Sequence, residues 1–445
     1  MGILKQIFTL KYLLFLISFF SFFIFTVHWK KSTIFLLYFI LIEGALRKWF
    51  LPSFQKEIFA FKFLILLGIY FGYLRDKRLK GEEIFPSSPL NFILAIYVLY
   101  GLFQIFNPNI KNLLIGFIGF FVEFSPVFLI YLTKEIFDEK EKIYKFIKNY
   151  AFFSLPLIII GFIQYNLPLD HPLNYYAHNV PADALVGTSV RPSSTFPYIS
   201  GYAIYLHLIS ILLIYILTIL DLKIFEKVYF LIVFILLNLS IFLTGSRGLF
   251  GYVLFAYFVY FFILIKEKGM REKAIKFILP IVFSTFLLFI TPFGKKIYDN
   301  FLVRAKGKGY EEIKRRIRVA FIEPFDFAEF ASFFGYGTGM TYQGIGFLRE
   351  GEGLLMPKSF EAELGRITLE YGIFGTLLTF ILRMSIILLF LKLFYIIKDN
   401  KLKYLSLLLF LYLLPACIFL DNVNFQLIRG IYFYFFSGFL FLFKR

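Results

Sequence analysis

Residues 241–255 read IFLTGSRGLFGYVLF, with an arginine set beside a serine and between two glycines in a run that otherwise resembles hydrocarbon. A charged side chain at the centre of a bilayer costs roughly 2.5 to 3.5 kcal/mol on insertion scales. Arg247 therefore has to end a helix at a membrane boundary, face a watery cavity or serve a ligand. Ser246 and the glycines permit a tight bend here, so the stretch reads as the outer turn between two spanning helices at 228–244 and 248–265. The bland alternative is a plain turn whose arginine snorkels to water.

The rest of the chain supports that reading. Its 445 residues are 59% hydrophobic and 22% aromatic, with 66 Phe and 30 Tyr, whereas ordinary soluble domains are about 45–50% apolar. A helix crossing the bilayer core needs about 20 apolar residues. About thirteen such runs follow one another, from 9–27 at the start to 429–443 at the end, with 365–396 as the longest. The ten-residue alternating segments of a membrane barrel are absent. The expected fold is all-α: a polytopic integral membrane protein with about 12–14 transmembrane helices and a large extracytoplasmic loop. The expected divisions are helices over 1–165, a first outer loop at 166–196, helices over 197–293, a large outer loop at 294–364 and helices over 365–445. No cleavage pattern follows the first apolar run, which is expected to stay as a helix. Cys417 is the one cysteine, so no internal disulfide or cysteine-based zinc site is expected.

Lys and Arg gather on one set of short loops, about 23 against about seven on the other set. The basic set marks the cytoplasmic side. Much of the net charge of +18 is accordingly a topology signal, and nucleic acid is not an expected partner. Two outer loops remain unexplained by topology. The first contains Arg191-Pro192 just before a helix. The second contains YEEIKRRIRVAFIEPF, with Arg316 and Arg318 in a basic cluster, which is either a solvated helix face or an anion site. Arg191, Arg247 and that cluster thus all belong to one membrane face. Guanidinium is permanently charged and presents a planar fork of donors that fits phosphate oxygens. Several of them at a membrane surface point to a phosphate-bearing, lipid-linked ligand.

FFGYGTGMTYQGIGF, at 333–347, has the glycines of a phosphate-cradling loop but not the strand and helix that a nucleotide site requires. It is either a flexible turn or a backbone surface for a saccharide or lipid phosphate. KSFEAELGRITLEYGIFG, at 358–375, sets Glu361, Glu363 and Glu370 at the start of a span. Carboxylates there are favoured by the helix dipole, or one of them accepts a proton from an attacking sugar hydroxyl. Of the histidines, His28 falls on the cytoplasmic side and His207 inside a span. That leaves His171 and His178 for an outer site, too sparse for a metal. In IEGALRKWFLP, at 42–52, Glu43 and Arg47 stand four apart in the order that pairs on a helix, either as a packing pair or as a functional one.

Four stretches together resemble the O-antigen polymerase and O-antigen ligase superfamily: RPSSTFPYISGYAIYL, LTGSRGLFGYVLF, a long loop with arginines ending in FFGYGTGM, and EAELGRITLEYGIFG. The likeness spans roughly 190–380. It implies a GT-C-like membrane glycosyltransferase of the bacterial inner membrane, with its active site facing the periplasm or cell exterior. Such an enzyme moves a glycan from an undecaprenyl-diphosphate-linked oligosaccharide, with no metal, nucleotide sugar or other cofactor. Its partners would be that lipid-linked donor, membrane lipid and other polysaccharide-assembly proteins. Carried onto this chain, Arg247 and Arg316 or Arg318 hold the diphosphate, with Arg191 beside them. Where the family carries His-Asn, this chain has Glu361-Ala362. Glu361 therefore becomes the implied proton acceptor, with Glu363 behind it. Polymerisation is favoured over ligation because nothing points to a lipid A core acceptor. The alternative reading is a transporter or flippase of lipid-linked glycans or other anions, although the internal repeat common in transporters is not visible.

Overall fold

The computed structural model describes residues 17–177, 180–306, 314–315, 317–319, 321–342, 348, 363–418 and 422–443. These are almost wholly helical, and the apolar runs read from the sequence fall on helices. Among the described residues, eight helices are long and apolar enough to cross a membrane: Pro52–Lys80, Leu113–Ile136, Lys140–Asn166, Ile199–Ile219, Ile224–Leu243, Arg247–Lys266, Arg271–Ile290 and Glu363–Ile396. Trp29–Ala45 and Asn400–Ile418 pack among them, as do the shorter apolar helices Ile17–Val27, Leu90–Gln104 and Leu427–Leu442. The chain is an all-α, multi-pass membrane protein. The eight that meet the length and hydropathy of a span are counted among the described residues, and the first apolar run of the sequence lies partly outside them.

The bundle has two chemically distinct ends. At one, Lys140 pairs with Asp399 at 2.6 Å, Lys148 with Glu226 at 2.7 Å, Lys401 with Asp221 at 2.8 Å and Lys403 with Glu267 at 2.6 Å. These bonds gather the lysine-rich loops. At the other end lie the 166–198 loop and the turn at 244–246.

Ile199–Ile219 is the axis of the bundle. Of its apolar window 89% is buried inside the protein, against 28% for Arg271–Ile290 at the periphery. A helix apolar on every face belongs to the interior of a large assembly of helices, and this one carries Tyr202, Tyr205 and His207 into that interior.

Two elements differ from the sequence reading. Arg271–Ile290 is followed at once by Pro292–Lys306, so the expected loop from 294 opens as a helix. The long run at 365–396 is not one uninterrupted span, because Gly372 breaks it with φ 66° and ψ −168°. Only glycine adopts such a conformation readily, and a Cβ at Gly372 would come within 2.2 Å of the Phe333 carbonyl oxygen. The break frees carbonyls that the glycine-rich stretch then satisfies. Tyr336 N–H donates to Leu369 O and Gly337 N–H to Glu370 O, both at 2.8 Å.

Candidate functional site

The site begins at the turn in the opening stretch. Ile224–Leu243 ends at Thr244, Gly245 takes a left-handed φ of 58°, and Ser246 caps the helix that Arg247 opens. Ser246 Oγ accepts from Leu249 N at 3.3 Å, and Ser246 N–H donates to Thr244 Oγ1 at 3.1 Å. A serine with an extended backbone in this position satisfies one of the amide groups left unbonded at a helix start. The bend inferred from the glycines and serine is therefore present.

Arg191 reaches this turn from the other loop. Its Nε donates to the Thr244 carbonyl at 2.7 Å. The loop is held from both sides. Before Arg191, a short hairpin pairs Leu185–Val186 with Ser189–Val190; Asn300 donates to Ser189 Oγ at 3.2 Å, and Arg304 Nη1 donates to Leu185 O at 3.0 Å. After it, Lys48 Nζ donates to Ser193 Oγ at 2.9 Å and to Ser194 O at 2.6 Å, while Gln164 Oε1 accepts from the amides of Ser193 and Ser194. Asn300 and Arg304 stand one helical turn apart, on the same face.

Arg304 lies directly over the turn, its Cδ 3.0 Å from where a Cβ on Gly245 would stand. Three guanidinium groups, from a loop, a helix start and a helix end, therefore meet around residues 244–246. Burial, then the positive charge of Arg304 and of Arg247, pulls the pKa of Arg191 down to about 10. Like charges held together in a partly buried place favour a bound anion, which relieves their repulsion.

A recess of about 270 Å³ opens here, lined by Arg191, Tyr198, His207, Ser246, Tyr252 and Gln426 among others. His207 corrects the sequence reading, which excluded it from an outer site because it lies inside a span. It stands about two helical turns in from the start of its helix, is 2% exposed, and its Nε2 has no hydrogen-bond partner among the described residues. The rings of Tyr252 and Tyr412 stand 5.8 and 5.1 Å from it. The signal in the sequence was the imidazole itself, an ionisable group in an apolar helix.

The other predicted residues are placed differently. Arg318 is exposed and reaches Asp326 at 3.5 Å, and no described contact joins it to Arg191 or Arg247. Arg316 and Glu361 lie outside the described residues, as does His178. Glu363 is fully buried. Arg383 grips both its oxygens at 2.6 and 2.9 Å, and Asn424 N–H donates to it at 2.6 Å. These three bonds fill three of the four acceptor positions of the carboxylate and tie Glu363 to Arg383 and Asn424, and Glu363 does not line the recess beside Arg191. Glu370 is also buried, accepting from Gly339 N–H at 2.8 Å and Thr341 N–H at 2.6 Å. His171 accepts from Leu173 N at 3.2 Å through Nδ1 and caps a turn. Among the described residues no cluster of His, Cys, Asp and Glu has the geometry of a metal site.

No family model and no curated protein matches the chain. The candidate site therefore rests on its own residues. Arg191 and Arg247 were read from the sequence; Arg304 and His207 were not.

Proposed function

We propose that this chain is a metal-independent membrane glycosyltransferase that polymerises or ligates glycans carried on an undecaprenyl diphosphate, polymerisation being the favoured of the two. In this reading the fold is GT-C-like and sits in the bacterial inner membrane, with the arginine end facing the periplasm or cell exterior. The observation that carries it is the meeting of Arg191, Arg247 and Arg304 at the 244–246 turn beside a recess of about 270 Å³. Arg316 and Arg318 belong to the proposal only through the family resemblance.

The chemistry follows from charge. An acceptor hydroxyl oxygen bonds to the anomeric carbon as the bond from that carbon to the diphosphate breaks, inverting the centre. Negative charge grows on the departing oxygen, and guanidinium donors fixed in a site of low dielectric stabilise that state more than the ground state. They take the part a metal ion plays elsewhere. The hydroxyl proton goes to Glu361 if the resemblance is followed. The geometry supports His207, whose Nε2 is unpartnered in the same recess.

Purified protein given undecaprenyl-diphosphate oligosaccharide should lengthen or transfer the glycan. Arg247→Ala should abolish this while the melting temperature holds. Wild-type protein that transfers nothing, yet moves labelled lipid across liposomes, would instead be a transporter.

A further inference from the structure

Against the diphosphate recess lies a second one of about 170 Å³, lined by Arg47, Phe59, Lys62, Tyr342 and Phe425. Tyr198, Ser200 and Gln426 form a wall common to both. The sequence reading paired Glu43 with Arg47 alone. The structure adds Lys62 from the neighbouring helix, and both cations bind the same oxygen, Glu43 Oε1, at 2.9 and 3.1 Å. The three side chains are almost wholly buried, at 8, 2 and 0% exposure for Arg47, Lys62 and Glu43.

Packing alone does not account for this trio. A buried carboxylate needs one cation to neutralise it, and a second desolvated cation is a large cost that the face of Phe59, 4.6 Å from Lys62 Nζ and 5.4 Å from Arg47 Cζ, offsets only in part. The surplus positive charge lines the recess. Arg47 Nε is buried with no hydrogen-bond partner among the described residues, and so is Glu43 Oε2. The site is therefore short of one anionic acceptor and one hydroxyl donor. Tyr198 and Tyr342 supply flat walls, the kind of surface on which the C–H face of a pyranose lies, while one face of Phe59 is covered by Arg47 and Lys62 and one face of Phe425 by Arg366.

We propose that this recess binds the carboxylate of an acidic sugar, with Arg47 and Lys62 as the anion receptors and Glu43 Oε2 taking a hydrogen bond from a hydroxyl of the same residue. It makes the chain selective for glycans containing uronic acid. This rests on the diphosphate reading of the adjoining recess, which sets the glycan in reach.

The test uses the full chain in detergent, titrated with tetraglucuronate, with maltotetraose as the neutral control, with inorganic phosphate, and separately with farnesyl diphosphate for the Arg191 recess. Tetraglucuronate should bind about tenfold or more tighter than maltotetraose, the discrimination expected of one charge-assisted hydrogen bond. Lys62→Met and Arg47→Gln should each bring the two ligands to near equality, whereas Lys62→Arg should keep the preference and Arg191→Ala should lower only farnesyl diphosphate binding. Equal affinity of wild-type protein for the two tetrasaccharides overturns the proposal whatever the variants do. So does displacement of tetraglucuronate by equimolar phosphate, which would make the recess a phosphate site. Farnesyl diphosphate bound without the acidic preference sinks the second recess alone; the reverse result sinks the diphosphate reading.

Discussion

Arg191 is bonded through Nε to the carbonyl of Thr244, a main-chain group exposed by the turn between two spanning helices. The bond leaves the two terminal nitrogens of the guanidinium for other work and fixes the plane in which they lie. Lysine has a point charge and no such plane. Arg191→Lys should weaken farnesyl diphosphate binding by about 1.5 kcal/mol, roughly tenfold, for loss of a hydrogen bond between charged groups. Arg318→Ala should leave it unchanged, because its exposed pair with Asp326 is of a kind worth about 0–1 kcal/mol to stability alone. An equal loss in both would return Arg318 to the site.

Arg304 should behave as Arg247 does. Arg304→Ala is expected to weaken diphosphate binding by about 1–3 kcal/mol, and the double variant with Arg247→Ala by less than the sum, since neighbouring charges serve one ligand. Titration calorimetry of the four proteins measures the coupling, and strict additivity would separate the two arginines.

His207→Gln keeps size and polarity but cannot take up a proton at neutral pH. Glycan transfer should fall by about 10²- to 10⁴-fold, the usual share of a general base, with farnesyl diphosphate binding held. Unaltered transfer would leave Glu361 as the candidate.

Glu363 and Arg383 form a buried pair at 2.6 Å. Glu363→Ala leaves a buried guanidinium without its counter-charge and should destabilise the folded protein by about 3–5 kcal/mol. The Glu363→Leu, Arg383→Leu double variant should cost less than either single change, as a shift in thermal midpoint. If Glu363→Ala instead melts normally and loses only activity, the carboxylate acts on substrate.

Gly372→Ala forces a side chain into a backbone conformation that costs about 1–3 kcal/mol, against a carbonyl 2.2 Å away. A lowered melting temperature is expected, and an unchanged one would mean that the two halves of the helix realign freely.

The fold class was legible because bilayer thickness sets the length of each apolar run, and the 244–246 turn was legible because its residue types suit little else. Loop parity placed Arg191 and Arg247 on one face. What escaped was tertiary. Hydropathy is blind to φ, so the break at Gly372 vanished inside a continuous apolar run. Lys62 vanished likewise within a span, since its partner Glu43 stands on the neighbouring helix rather than one turn away on its own. Arg304 was counted as loop because its helix is too polar to read as a continuation of the bundle.

The depth at which Ile199–Ile219 lies has one more consequence. Its apolar side chains meet other helices, so they act as cohesive filler and not as solvent for acyl chains. A carbene reagent dissolved in the lipid phase should label Arg271–Ile290 heavily and this helix hardly at all. The recess built on its first turns is likewise insulated, so swapping one bilayer composition for another should leave the dielectric inside it unaltered.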